Sequence, residues 1–151
     1  MTQFEIRPAS PNEVDKLLPL MEQLGYPQTL EAMTSRINLF LKQDGYGIAV
    51  AEETSTRKIV GWVAWSKSIL IVSSAVRLHI EGLVVEQSYR GNGIGKALML
   101  HVENIAELNS PCIVDLTSGK RRAKDGSHEF YASLGYHNEG YMAKKYLRKT
   151  F

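Results

Sequence analysis

The sequence predicts an α+β fold, a central mixed and twisted sheet with helices on both faces, and three observations predict it. Residues 4–7, 47–53, 59–66, 76–85 and 112–116 are apolar or alternating runs of strand length, bounded by turn residues. Between them lie helical stripes: Val14, Leu17, Leu18, Met21 and Leu24 in one segment, and Ile94, Ala97, Leu98, Val102 and Ile105 in another. The order strand, glycine-rich turn, helix, strand over residues 76–116 is that of a βαβ unit. Its two parallel strands, set beside an antiparallel hairpin, make the sheet mixed.

Each element has local reasons. Ser10-Pro11-Asn12-Glu13 combines a capping box with proline at the first helical position, so a helix follows; Pro19 removes one of its hydrogen bonds and Gly25 stops it. Thr29 caps a second helix with an inward face of Leu30, Met33, Ile37 and Leu41, ended by Asp44-Gly45. The polar turn Thr54-Ser55-Thr56-Arg57 joins strands 47–53 and 59–66 into a hairpin, and a third helix begins near Asn92. Cys112 falls in a compact strand, where a buried thiol is expected. Residues 127–134 read as a short helix stopped at Gly135, and residues 141–147 as a last strand. No repeat, low-complexity tract or linker interrupts the chain, so residues 1–151 read as a single domain.

Composition excludes several classes. With 44% hydrophobic and 23% charged residues, the chain closes a core and is not disordered. A single cysteine forms no internal disulfide and no multi-cysteine metal site. The longest stretch without charge, residues 68–76, falls far short of the ~20 residues of a spanning helix. The N-terminus lacks a basic segment followed by an apolar one. A soluble, unexported and therefore cytoplasmic protein without a membrane partner is expected. Residues 120–124 and 144–149 hold 8 of the 18 basic side chains. They read as solvated surface; the sharper readings are an anion-holding role for the first cluster and a nucleic-acid surface for both. A net charge of +2 makes no nucleic-acid partner the expectation.

Anion chemistry concentrates at Arg90-Gly91-Asn92-Gly93-Ile94-Gly95-Lys96, between a strand and an amphipathic helix. Glycines let a ligand approach the backbone closely, and amides of a first helical turn hold phosphate with help from the helix dipole. Spacing excludes two phosphate loops. A nucleotide P-loop needs glycine at 90 and serine or threonine at 97, where Arg90 and Ala97 stand; a dinucleotide fingerprint needs glycine at 96, where Lys96 stands.

The arginine-x-x-glycine-x-glycine run from Arg90 to Gly95 resembles the coenzyme A loop of the Gcn5-related N-acetyltransferases, the GNAT family. The preceding Leu78-His79-Ile80-Glu81-Gly82-Leu83-Val84-Val85 looks like that family's central strand. Ser127-His128-Glu129-Phe130-Tyr131-Ala132-Ser133-Leu134-Gly135-Tyr136 is similar to its second signature. Ile6-Arg7-Pro8-Ala9, followed by a helix ending Leu24-Gly25-Tyr26, resembles the start of many small members, so the likeness spans essentially the whole chain. It implies a GNAT-like acyl-CoA N-acyltransferase fold and transfer of the acetyl group of acetyl-CoA to a primary amine of a small molecule, by direct attack in a ternary complex and without a metal. It further implies that the backbone of Gly91, Asn92, Gly93, Ile94, Gly95 and Lys96 holds the pyrophosphate. Arg90 contacts phosphate or pairs with Glu86. Leu83 and Val85 would pair through their main chain with the pantetheine arm, and an amide near Leu83 or Val84 would meet the developing oxyanion. A homodimer rests on the resemblance alone. The chain departs from the family's pattern at Gly119, where many members have asparagine, and in a longer link from Leu116 to His128.

For an amine of pKa ~10.4 the neutral fraction at pH 7 is about one in 2,500, a penalty of roughly 4.6 kcal/mol, so a base is needed. Glu81, on the central strand two residues before Leu83, is the candidate, in a desolvated setting that suits it to the task. Tyr131 is the candidate to protonate the departing sulfur. The bland readings stay open beside these: Glu81 paired with a neighbouring cation, and Tyr131 packed beside Phe130 and Leu134. His79 shares the strand parity of Glu81 and reads as a structural histidine, His128 as one held by a local hydrogen bond. Two other functions compete, a protein lysine or N-terminal acetyltransferase and a non-catalytic acyl-CoA-binding module. Segments 24–44 and 67–77, which would shape an acceptor pocket, carry no charge pattern that selects an amine.

Overall fold

The computed structural model of the chain describes residues 2–119 and 125–151. The basic cluster of residues 120–124 therefore lies outside the described residues. The elements follow in the order β1 (Phe4–Pro8), α1 (Val14–Leu24), α2 (Leu30–Leu41), β2 (Gly47–Glu53), β3 (Ile59–Ile69), β4 (Val76–Val85), α3 (Ile94–Leu108), β5 (Cys112–Leu116) and α4 (Ser127–Ser133). The five strands form one mixed sheet in the order β1-β2-β3-β4-β5, and β1 to β4 pair antiparallel in sequence. The chain divides into two compact units, one ending at Val114 and one starting at Asp115.

Side chains of a strand alternate between faces, and β3 shows what each face receives. Trp62 and Ala64 join the cluster of Val14, Leu17 and Leu20 from α1 and Met33 and Ile37 from α2. Their neighbour Gly61 points the other way, where an added Cβ would meet Leu98 and Ile94 of α3. Helices thus cover both faces of the sheet, as the sequence predicts. The buried stripe of α3 is Ile94, Leu98, Met99, Val102 and Ala106. Ala97 and Ile105, expected in it, are only half-buried. In α2 the inward residues are Met33 and Ile37, whereas Leu30 in the first turn is 51% exposed.

The caps act as read. Glu13 accepts the Ser10 N–H at 2.8 Å, with Pro11 opening a short 3-10 turn that runs into α1. Helix α1 continues through Pro19 and stops at Gly25, whose φ of 101° is left-handed. Thr29 Oγ1 accepts the Ala32 N–H at 3.1 Å. Sequence reading misses a second duty of Glu13. Arg7 on β1 donates to both Glu13 oxygens, at 2.9 and 2.6 Å, and to Glu52 of β2 at 2.6 and 3.1 Å. Arg57 reaches the other Glu52 oxygen at 3.0 Å. Both carboxylates are buried, and the cluster ties the first strand to its neighbour and to the start of α1.

In the second unit, α4 begins after Gly126 and ends before Gly135, as expected. The last strand expected over residues 141–147 does not form. A strand is held by a partner backbone, and here Tyr141 and Leu147 stand 99% and 83% exposed. Lys144-Lys145 breaks the alternation that would give the segment one apolar side. Asn138 instead closes the segment locally, accepting the Lys144 N–H at 2.6 Å and donating to its carbonyl at 2.7 Å.

Candidate active site

Strand β4 and the turn that leaves it carry most of the candidate residues. The Glu86 N–H donates to the Val60 carbonyl at 2.8 Å, and the register pairs Val85 with Gly61, Val84 with Trp62 and Leu83 with Val63. In an antiparallel ladder, bonded and non-bonded pairs alternate, so Val84 bonds across to β3 while the amides of Leu83 and Val85 face away from it. The Val85 carbonyl accepts from Arg90 Nε at 3.1 Å. Glu86, the alternative partner for Arg90, is matched instead by Lys58 at 3.4 Å, and hydrogen bonds from Ser88 and Lys58 hold its carboxyl below the usual range.

After this the chain turns. Asn92 Nδ2 donates to the Tyr89 carbonyl at 2.9 Å, and Gly91 and Gly93 take φ values of +83° and +80°. An added Cβ at either glycine would meet nothing within 4 Å, so conformation, not crowding, calls for glycine here. The Gly93 carbonyl accepts the Ala97 N–H at 3.0 Å, which opens α3. Ile94 is buried as an anchor while Gly91, Asn92, Gly93 and Lys96 are exposed. First-turn amides have no partner within their own helix, so the turn presents N–H groups on an open surface. Gly93→Ala should cost about 1–2 kcal/mol of left-handed strain and lower the melting temperature by several degrees.

The register of β4 slips once. Ala64 faces Gly82 but Trp65 faces Ile80, which leaves Glu81 as the extra residue of a β-bulge. Ile80 lies opposite Trp65, whose ring meets His101 of α3 at 5.8 Å, while Glu81 is on the other face, against α1 and α2. There Glu81 Oε1 accepts from the buried Ser66 Oγ at 2.6 Å. The carboxylate is not desolvated as expected: Glu81 is exposed, at the mouth of a pocket of about 210 Å³. Apart from Glu81 and Arg36, every lining residue is apolar, including Met33, Ile37 and Phe40 of α2 and Trp62 of β3. Sequence reading misses Ser66, Trp62 and Arg36; strand parity on β3 is the signal that points to the first two. Residues of α2, within segment 24–44, line this cavity, and none of its described lining residues comes from segment 67–77.

His79 Nδ1 lies 2.9 Å from an Arg77 guanidinium nitrogen, and His128 Nε2 lies 3.1 Å from the Gly119 carbonyl, so both histidines are engaged locally. Cys112 is half-buried in β5, and burial pushes its thiol up, away from a nucleophilic thiolate. In the second unit, Tyr131 is half-buried on α4, with ring contacts to Phe130 at 5.1 Å and Tyr136 at 6.2 Å. Among the described residues no helix is long and apolar enough to cross a membrane.

The family described as "Acetyltransferase (GNAT) domain" matches residues 44–138. A Drosophila melanogaster protein described as a probable glucosamine 6-phosphate N-acetyltransferase is 28% identical over 137 residues, covering 88% of this chain. The match spans 60% of that relative's length. An aminoglycoside antibiotic 6'-N-acetyltransferase from Acinetobacter baumannii superposes with a TM-score of 0.80 at 20% identity, covering 99% of each chain. An aminoglycoside N-acetyltransferase in complex with CoA gives 0.78 at 18% identity, covering 99% of this chain and 96% of the other. At those identities the two structures show the fold.

Proposed function

The chain belongs to the GNAT acetyltransferase family, and from that premise we propose that it transfers the acetyl group of acetyl-CoA to the primary amine of a small molecule, by direct attack in a ternary complex. One observation carries this reading. A single strand and its exit turn set a bulged carboxylate beside an apolar pocket and then open, through two left-handed glycines, onto the start of α3.

The turn suits a diphosphate, because its exposed backbone around Gly91 and Gly93 leaves room for close approach and Lys96 adds charge on the same exposed turn. The amides of Gly91, Asn92, Gly93, Ile94, Gly95 and Lys96 hold the pyrophosphate. Arg90, committed to the Val85 carbonyl, fixes the turn to the strand. Leu83 and Val85, with amides directed away from β3, receive the pantetheine arm as an added strand would, and the main chain near Leu83 or Val84 meets the oxyanion. Glu81, directly or through a water, takes the proton of the ammonium. The amine nitrogen then bonds to the acetyl carbon and sheds its second proton to solvent as the carbon–sulfur bond breaks, while Tyr131 gives its hydroxyl proton to the departing sulfur and regains one from solvent. No covalent acyl-enzyme and no metal enter the scheme. The protein acts in the cytoplasm.

Incubation of the purified chain with acetyl-CoA and a panel of primary amines should release free thiol. Tyr131→Phe should slow release roughly tenfold without abolishing it, since a thiolate leaves tolerably unaided. Coenzyme A binding without thiol release for any amine would overturn the enzymatic reading.

A further inference from the structure

We infer that the acceptor is a monoamine with a compact apolar body, an aryl or branched alkyl group on a short spacer, and not a polyhydroxylated amino sugar or a diamine. This rests on the acetyl-transfer reading and deepens it. The pocket over the sheet, between α1 and α2, has a volume of about 210 Å³. A dry apolar cavity of about 150 Å³ takes a benzene ring, so this one takes a ring with a two-carbon spacer. Its floor is Ala64 and Trp62, its walls include Met21, Met33 and Phe40, and the polar atom these carry, Trp62 Nε1, is fully buried and without a hydrogen-bond partner among the described residues. A sugar hydroxyl entering it would shed water and find no partner.

Charge is placed just as selectively. Glu81 is the one carboxylate among the described residues lining the pocket, oriented by Ser66 at 2.6 Å, so an ammonium pairs there while its substituent turns inward. Arg36 is the other charged residue, held by Gln28 Oε1 at 2.7 Å. Its charge opposes a second ammonium within the same small volume, which disfavours diamines. The bulge that leaves Glu81 unpaired on this face also brings Gly82 under the Trp62 ring, where an added Cβ would lie 2.9 Å from ring carbons. The absence of a side chain at Gly82 therefore helps set the position of that floor.

The test compares 2-phenylethylamine, glucosamine 6-phosphate and 1,4-diaminobutane as acceptors, with thiol release giving kcat/KM and calorimetry giving binding. The expected result is kcat/KM for 2-phenylethylamine at least ~100-fold above the other two. Met21→Lys, at a half-buried wall position where a long side chain reaches solvent, should raise the KM for 2-phenylethylamine ~10-fold or more and leave that for acetyl-CoA unchanged. Turnover that prefers the amino sugar or the diamine overturns the inference while acetyl transfer stands. An unchanged KM in a normally folded Met21→Lys overturns it also. Calorimetric binding of 2-phenylethylamine without thiol release from any amine supports the pocket's ligand class and overturns acetyl transfer instead.

Discussion

Arg7→Met should lower the folding free energy by about 3 kcal/mol at neutral pH, and the loss should shrink as the solution is acidified. Arg7 is the shared partner of two buried carboxylates, Glu13 and Glu52, and Arg57 contacts only the second. Methionine keeps much of the stem's packing but leaves Glu13 without its counter-charge, the costly outcome for a buried ion. In the native protein the Arg7 hydrogen bonds, with that from the Ser10 N–H, outweigh burial and hold the Glu13 carboxyl at about 2, against an ordinary value of 4.5. A depressed carboxyl stabilises the fold fully above its unfolded value and loses that contribution as pH falls from about 4.5 toward 2. The size of the shift corresponds to about 3 kcal/mol. Urea unfolding at pH 7 and pH 3 checks both parts. A variant as stable as the parent at pH 7, or a gap that widens in acid, would show that the cluster does not act this way.

Glu81→Gln should reduce kcat by roughly 10²–10⁴-fold while leaving coenzyme A affinity within about twofold. Glutamine keeps the shape and can still accept from Ser66 Oγ, so the strand and the pocket mouth remain and only the proton acceptor is lost. Ser66→Ala should give a smaller fall, because the carboxylate would then have more freedom at the pocket mouth. Single-turnover measurement with acetyl-CoA and a working amine separates chemistry from binding. If Glu81→Gln turns over at the parent rate, Glu81 is not the base.

Much of this was legible in the chain, and the exceptions share a cause. Gly25, Thr29, the capping box at Ser10 and the glycines of the 90–96 turn each act within a few residues, so local chemistry reports them faithfully. The Arg7–Glu52 pair joins residues far apart in sequence, and the carboxylates announce nothing until β1 and β2 are in register. The bulge was invisible for a similar reason. Leu78 to Val84 is unbroken strand sequence, and the slip exists only relative to β3. Residues 141–147 show the reverse error. Tyr141, Met142, Tyr146 and Leu147 have the composition of a strand, but composition does not supply a backbone to pair with. Spacing places Leu30 inward, whereas the first turn of α2 leaves it half exposed to solvent.

The slip in β4 has a consequence for how architecture and chemistry divide the strand. Ile80 already sits across from Trp65 and Gly82 across from Ala64, so position 81 is supernumerary to the ladder. A chain shortened by that one residue could keep every other partner on β3 and the faces those side chains take against it, with more regular pleating. What would vanish is the one acid among the described residues that line the cavity. Assembly of the sheet and possession of a proton acceptor are thus separable properties of this molecule, which makes the single-residue deletion a scaffold for asking what the cavity and the anion-facing turn accomplish without it.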